Sequence, residues 1–350
     1  MNGTTTDLTQ GTAIAILSGL MNGTFTLPMR FLGRWSWENV WGLQIFVSCV
    51  VMPVAIAWIT FPGFTHALGE APTRAVLIAL VTGFMCGFGG IMFGQGVSAV
   101  GISMGNTLVL AISASLGSFL PMLLLAPERL LQPQGKAIML GGLIGIAGIS
   151  CCGYAGFLRE RSQKGGTETA RGGMVGETRP FYVGLLLCIG SGLLSAVINI
   201  GYSSSQGILE TAVRQGHSTF AGSNLIWLLM LMSGAVANLC FCWYLFKRNG
   251  SWGKYATENS ASLYTLTISM GLLWGGSIYA YGFAAPKLGK LGPAIGWPMT
   301  LIVGLATANM WGFLTDEWKL ANSGDRRWMF LGLVVLLIAI VTLGWSSTLR

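Results

Sequence analysis

The stretch from Gly83 to Leu125, GFMCGFGGIMFGQGVSAVGISMGNTLVLAISASLGSFLPMLLL, decides how the rest of the chain is read. It holds no charged residue. A membrane helix needs about 20 apolar residues, so this run is long enough for two crossings. A second stretch answers it: GLLWGGSIYAYGFAAPKLGKLG, from Gly271 to Gly292. Gly83, Gly87, Gly94 and Gly101 align with Gly271, Gly275, Gly282 and Gly289 at one constant offset, with Phe93-Gly94 over Tyr281-Gly282. That separation far exceeds the period of a solenoid, so it reads as a duplicated half-protein.

Composition agrees with a membrane setting. The 350 residues are 53% hydrophobic and only 9% charged, against roughly 25% charged in soluble domains. The short alternating segments of a β-barrel are absent. The net charge of +8 raises nucleic acid as a partner. However, the Lys and Arg residues sit between apolar runs, where they orient helices, so no nucleic acid is expected. All seven cysteines fall within apolar runs, and neither CxxC spacing nor Cys/His pairing points to a metal or a disulfide framework. The N-terminus lacks the basic region of a cleaved signal peptide.

Ten spans are expected, at about 11–31, 40–61, 74–98, 101–126, 135–157, 180–204, 219–246, 263–285, 291–314 and 326–346. The long polar gap, Leu158 to Arg179, is rich in Gly, Thr, Arg and Glu and reads as a linker between halves of five spans each. The predicted units are therefore 1–157, a cytoplasmic linker 158–179, and 180–350. With the N-terminus outside, the inner connections hold 13 Lys and Arg residues, including Arg159, Arg161, Lys247, Arg248 and Lys254. The outer segments hold 7, including Arg74, Arg129 and Lys287. The positive-inside rule thus places both termini outside.

Five spans per half is an odd number, so the second half enters the membrane in the opposite sense. The expected fold is an all-α membrane protein of ten helices, built as two inverted five-helix repeats, an architecture of secondary transporters. Ser18-Gly19-Leu20 in the first span of one half echoes Ser191-Gly192-Leu193 in the first span of the other. Glycines four apart, as at Gly83 and Gly87 or Gly271 and Gly275, allow backbones to approach closely. Pro286, Pro293 and Pro298 are expected to interrupt the eighth and ninth spans.

Catalytic and nucleotide motifs fall away. Gly94-x-Gly96-x-x-Ala99 lies inside an apolar span rather than between a strand and a helix, and no P-loop occurs. His66 and His217 both lie between spans, and no acids or histidines cluster at one depth, so an embedded enzyme is not expected. Polar groups inside the spans are mostly neutral amides, hydroxyls and ring donors. Singly, each serves as glue between helices at roughly 0.6 kcal/mol per bond. Together they suit a neutral polyol: amides donate and accept to sugar hydroxyls, and ring faces pack on its C–H face. A charged substrate would call for a buried ion, at about 2.5–3.5 kcal/mol for mid-membrane placement. The candidate substrate-binding residues are Asn22, Gln95, Asn106, Asn199, Tyr202, Asn224, Trp274 and Tyr281.

Several segments carry a resemblance. Trp35-Ser36-Trp37-Glu38-x-x-Trp41 leads into the second span, and Gly101-Ile102-Ser103-Met104-Gly105 opens the fourth. Leu158-Arg159-Glu160-Arg161 begins the linker, and Glu317-Trp318 and Arg326-Arg327 precede the last span. Over nearly its whole length the chain resembles the L-rhamnose–proton symporter family of the drug/metabolite transporter superfamily. The resemblance implies ten spans, a bacterial inner membrane, and uptake of L-rhamnose or a related deoxysugar, with the proton as coupling ion and no other cofactor. An exporter of drugs or metabolites on the same fold is the alternative. A proton symporter needs a group that changes charge as it faces each side in turn. All twelve acids lie at span ends or in connections, and Glu38, Asp316 and Glu317 lie deepest. Glu38, among Trp35, Trp37 and Trp41, is the expected proton carrier, with Glu317 second.

Overall fold

The computed structural model describes residues 2–32, 35–100, 108–110, 112–114, 116, 122–124, 127–163, 180–256, 260–289, 292–315, 318, 321–346, 348 and 349. The linker predicted at 158–179 lies outside the described residues beyond Gln163. In chain order the helices are α1 (Asn2–Thr24), α2 (Trp37–Thr60), α3 (Phe64–Glu70), α4 (Thr73–Val100), α5 (Pro133–Gln163), α6 (Phe181–Ser204), α7 (Gln206–Arg214), α8 (Thr219–Asn249), α9 (Ser260–Lys287), α10 (Gly292–Leu314) and α11 (Ser323–Ser346). Residues 108–110, 112–114, 116 and 122–124, between α4 and α5, are also helical. No strand occurs among the described residues.

Local chemistry explains the ends. Ser218 caps α8 by accepting the Ala221 backbone N–H at 3.1 Å. At its other end Lys247 and Arg248 occupy the last turn, and Gly250 takes a left-handed conformation at φ 61°. Helix α2 is regular except for a π-turn at Val47–Val51. The expected breaks at Pro286, Pro293 and Pro298 do not form: α9 and α10 run through them. Pro293 sits in the first turn of α10, where its missing N–H has no partner to lose. Pro286 lies one residue from the end of α9 and cannot donate to the Gly282 carbonyl. That carbonyl accepts instead from Ser223 Oγ at 3.1 Å and the Tyr202 hydroxyl at 3.4 Å.

Among the described residues, six helices are long and apolar enough to cross a membrane: Trp37–Thr60, Thr73–Gly96, Pro133–Arg159, Tyr182–Arg214, Thr219–Asn249 and Ser323–Ser346. Helices α1, α9 and α10, with 23, 28 and 23 residues, are long enough to cross but are not among these six. Their outlines match the expected spans within a few residues, except that α1 begins at Asn2 and ends at Thr24. The bundle buries neutral polar side chains within an apolar core and exposes large apolar ones. Gln44, Asn199 and Asn224 are buried, while Ile59, Phe330 and Val341 are 78%, 69% and 71% exposed. Hydrocarbon solvates such a surface, whereas water would penalise it.

Packing pairs helices across the two halves of the chain. Helix α5 lies along α11, α4 along α6 and α8, and α1 along α9 and α10. Close approach depends on glycine: a Cβ on Gly87 would sit 2.4 Å from the Gly234 carbonyl oxygen. The contacts come in matched sets. Ser18 Oγ donates to the Ser277 carbonyl at 2.7 Å, and Ser191 Oγ to the Gly89 carbonyl at 2.9 Å. Gly19 abuts Thr300 and Val303, as Gly192 abuts Val109 and Ile112. Gly83 faces the Met230 carbonyl, as Gly271 faces that of Gln44. Gly148 abuts Leu336 while Gly332 abuts Cys152, so α5 and α11 are antiparallel. Helices α2 and α8 are antiparallel too: Glu38 meets Asn249 at one end, and Thr60 meets Asn224 at the other.

Candidate functional site

A cavity of about 270 Å³ occupies the centre of the bundle. Helices α1, α2, α4, α6, α8, α9 and α10 and the segment at 109–113 line it, whereas α5 and α11 do not. None of the residues lining it carries a charge. The wall mixes small and apolar groups with Asn22, Gln44, Ser113 and Asn238 and the rings of Trp41, Trp274 and Trp297. The volume lies just under the roughly 300–1,000 Å³ common for small-molecule pockets, so the site suits a compact solute.

Each polar group is positioned by its helix. Asn238 follows Gly234 by one turn, and the close approach of α4 there lets its Nδ2 donate to the Gly87 carbonyl at 3.0 Å. Its Oδ1 accepts from Trp41 Nε1 at 2.9 Å. Trp37 stacks on Trp41 with ring centroids 5.4 Å apart, which fixes the indole at the cavity wall. Asn22 donates to Ser277 Oγ at 3.4 Å, and Ser277 donates to the Trp274 carbonyl at 2.7 Å, tying α1 to α9 beside the cavity.

The structure separates the expected site residues. Asn22 and Trp274 line the cavity. Asn199, Tyr202, Asn224 and Tyr281 do not: Asn199, Tyr202 and Tyr281 form a buried knot, and Asn224 is tied to α2. The Tyr281 hydroxyl donates to Asn199 Oδ1, and Asn199 Nδ2 donates to the Pro293 carbonyl at 3.0 Å. Tyr202 and Ser223 share a hydrogen bond at 3.0 Å, and Trp227 stacks on Tyr202 with centroids 4.9 Å apart. Asn224 donates to Thr60 Oγ1 at 3.0 Å. The reason is local: the carbonyl freed by Pro286 takes Ser223 and Tyr202 as donors, and beside it Tyr281 and Asn199 satisfy each other. Gln95 is not among the cavity residues, and Asn106 lies outside the described residues. In their place stand Gln44, Asn238 and Trp297, and Ser113 and Trp41 beside them. The first three belong to the same polar inventory inside apolar runs. A small residue one turn before the amide, as Gly234 before Asn238, is the available sequence signal.

Glu38 is 3% exposed and lies at the start of α2, one turn before Trp41. Its Oε1 accepts from Asn249 Nδ2 at 3.0 Å and from Ser251 Oγ. Around this carboxylate Asn39 donates to the Ser251 carbonyl at 3.1 Å, and the Tyr255 hydroxyl to the Asn39 carbonyl at 2.8 Å. Burial raises the Tyr255 phenol well above its ordinary range, so it stays a donor. Glu317 lies outside the described residues. Among the described residues no group of His, Cys, Asp or Glu could hold a metal, and all seven cysteines are free thiols.

Apolar helices around an uncharged central cavity define a multi-pass membrane transport protein. The chain belongs to the L-rhamnose-proton symport protein family (RhaT), whose pattern matches residues 6–347. The family consists of transporters, and the chain is not an enzyme. Over 331 residues it is 24% identical to the L-rhamnose-proton symporter of Pectobacterium atrosepticum, covering 92% of this chain and 94% of the relative. The L-rhamnose-proton symporter of Yersinia pestis is 23% identical over 332 residues, again with 92% and 94% coverage. One solved crystal structure shares the fold at a TM-score of 0.60 and 14% identity, over 97% of this chain and 96% of its own.

Proposed function

We propose that this chain imports a monosaccharide, L-rhamnose or a related deoxysugar, together with protons, across the bacterial inner membrane by alternating access. The observation that carries the reading is the cavity: central, uncharged, and walled by indoles and neutral donors and acceptors. Such a wall binds a polyol without paying for a buried ion. The names of the relatives supply the particular sugar and the coupling ion.

The scaffold for alternation is a pair of inverted five-helix repeats, 1–157 and 180–350, joined by the cytoplasmic linker 158–179. The matched contacts support it. Exchanging Ser18 with Ser191 and Gly89 with Ser277 turns one hydrogen bond into the other. Gly148 and Gly332 exchange in the same way with Cys152 and Leu336. The self-paired helices α5/α11 and α2/α8 are antiparallel, which requires the two-fold axis to lie in the membrane plane. Both termini are outside, as the distribution of Lys and Arg favours.

The same exchange relates Thr26 to Asn199 and Phe93 to Tyr281. Thr26 and Phe93 line the cavity, but Asn199 and Tyr281 bond each other away from it. We read the Asn199–Tyr281–Tyr202 knot as the closed outer seal and the Thr26 end as the route inward. Glu38, buried one turn below Trp41, is the proposed proton carrier, with Glu317 second. The test is uptake of labelled L-rhamnose into proteoliposomes under an imposed proton gradient, with and without an uncoupler. Accumulation abolished by the uncoupler supports the reading; gradient-independent uptake, or none, overturns it.

A further inference from the structure

Three buried polar atoms on residues that line the cavity have no hydrogen-bond partner among the described residues: Gln44 Oε1, Ser113 Oγ and Trp297 Nε1. Their residues are 1%, 2% and 5% exposed. Buried polar groups are ordinarily hydrogen-bonded, so each such exception calls for an explanation. The other cavity amides are engaged: Asn238 bridges α2, α4 and α8, and Asn22 bonds Ser277. Gln44 Nε2 donates to Ser48 Oγ at 3.4 Å and the Trp297 ring packs edge-on against Tyr281, which leaves one acceptor, one donor and one hydroxyl on cavity-lining residues without a partner among the described residues.

The matched contacts sharpen this. The pairing of Gly83 with Met230 and of Gly271 with Gln44 makes Met230 the counterpart of Gln44. The pairing of Gly192 with Val109 and of Gly19 with Thr300 makes Gly304 the counterpart of Ser113. Met230 and Gly304 also line the cavity, and neither offers a side-chain hydrogen bond. The helix contacts are thus two-fold, but the polar atoms of Gln44 and Ser113 are not; the counterpart of Trp297 is Asn106, outside the described residues. Packing alone would have no use for that asymmetry, whereas an asymmetric solute would.

Resting on the sugar-transport reading above, we propose that Gln44, Ser113 and Trp297 are the residues that select the substrate. Gln44 Oε1 accepts from one sugar hydroxyl, Trp297 Nε1 donates to a second sugar oxygen, and Ser113 Oγ bonds a third. Ile45, Leu231 and Leu301, which line the same cavity, take the sugar's apolar edge.

The test compares Gln44→Leu, Ser113→Ala and Trp297→Phe with the parent protein in proteoliposome exchange. The probes are L-rhamnose and its singly deoxygenated derivatives. Each variant should raise the L-rhamnose KM by about five- to tenfold, the loss expected for one hydrogen bond. For each variant one deoxy derivative should show the parent's KM, because the contacted hydroxyl is already gone. Since none of the three atoms has a partner among the described residues, losing them should leave the Tm of the purified variants close to the parent's. Changes under twofold in all three variants overturn the proposal. So does a KM rise shared by every derivative together with a lowered Tm, which marks a packing role. If the parent exchanges no deoxysugar, the transport reading itself fails and this proposal with it.

Discussion

The outer seal yields a prediction whose size follows from a single bond. In Tyr281→Phe the ring remains, and with it the edge-on contacts to Trp227 and Trp297, at centroid distances of 5.9 and 5.4 Å. Only the hydroxyl that Asn199 Oδ1 accepts is lost. Removing one member of a buried pair costs about 1–3 kcal/mol. If the bond exists only with the outer side closed, that cost falls on the closed state alone. The equilibrium then moves outward by roughly 5- to 150-fold. The assay uses a cysteine-free background with Ser195→Cys, a cavity position on α6 just inside the knot. Labelling by an impermeant maleimide added outside should accelerate at least about fivefold in Tyr281→Phe. Tyr264→Phe is the control, because it loses a hydrogen bond to the Tyr255 carbonyl at 3.2 Å, far from the seal. An unchanged rate, or an equal gain in the control, would refute the assignment of Asn199 and Tyr281 to a seal.

Further expectations follow from other contacts. Glu38→Gln keeps a side chain that Asn249 and Ser251 can still bond, so sugar exchange should persist while proton-driven accumulation is lost; normal accumulation eliminates Glu38 as the carrier. Ser18→Ala and Ser191→Ala remove matched hydrogen bonds, each worth about 1 kcal/mol. Thermal unfolding in detergent should show both variants destabilised, Ser18→Ala at least as much because Ser18 Oγ also accepts from Thr300 at 3.3 Å, and a Ser191→Ala variant as stable as the parent speaks against equivalent repeats. His66 is exposed on α3, in the connection between α2 and α4, and Gly253 is exposed between α8 and α9. In intact cells a cysteine at His66 should react with an impermeant reagent and one at Gly253 should not, and the reverse pattern inverts the topology.

The helices were legible in the sequence because hydrocarbon imposes a length and a composition on anything that crosses it. Gly83–Leu125, the glycine alignment with Gly271–Gly292 and the Ser-Gly-Leu echo each required only residue type and spacing. The echo proved unexpectedly informative: both serines bond a carbonyl across the halves, at Ser277 and at Gly89. The site was less legible. Asn199, Tyr202, Asn224 and Tyr281 resemble ligand-binding groups as much as Gln44 and Trp297 do, since all are polar or aromatic inside apolar runs.

What separates the two sets is depth along the helix and partnership. Along one helix, Trp274 faces the cavity, and Tyr281, seven residues on, is drawn into the knot beside the carbonyl freed by Pro286. A linear pattern records which residues share a face, but not what stands opposite that face. The sequence by itself determined that this chain is an all-helical membrane protein with an internal echo and a neutral polar interior. Only the tertiary structure decided which polar atoms bond one another and which are left without a partner among the described residues. Hydrogen bonds are satisfied by neighbours in space, and here the decisive neighbours lie on helices far apart in the chain.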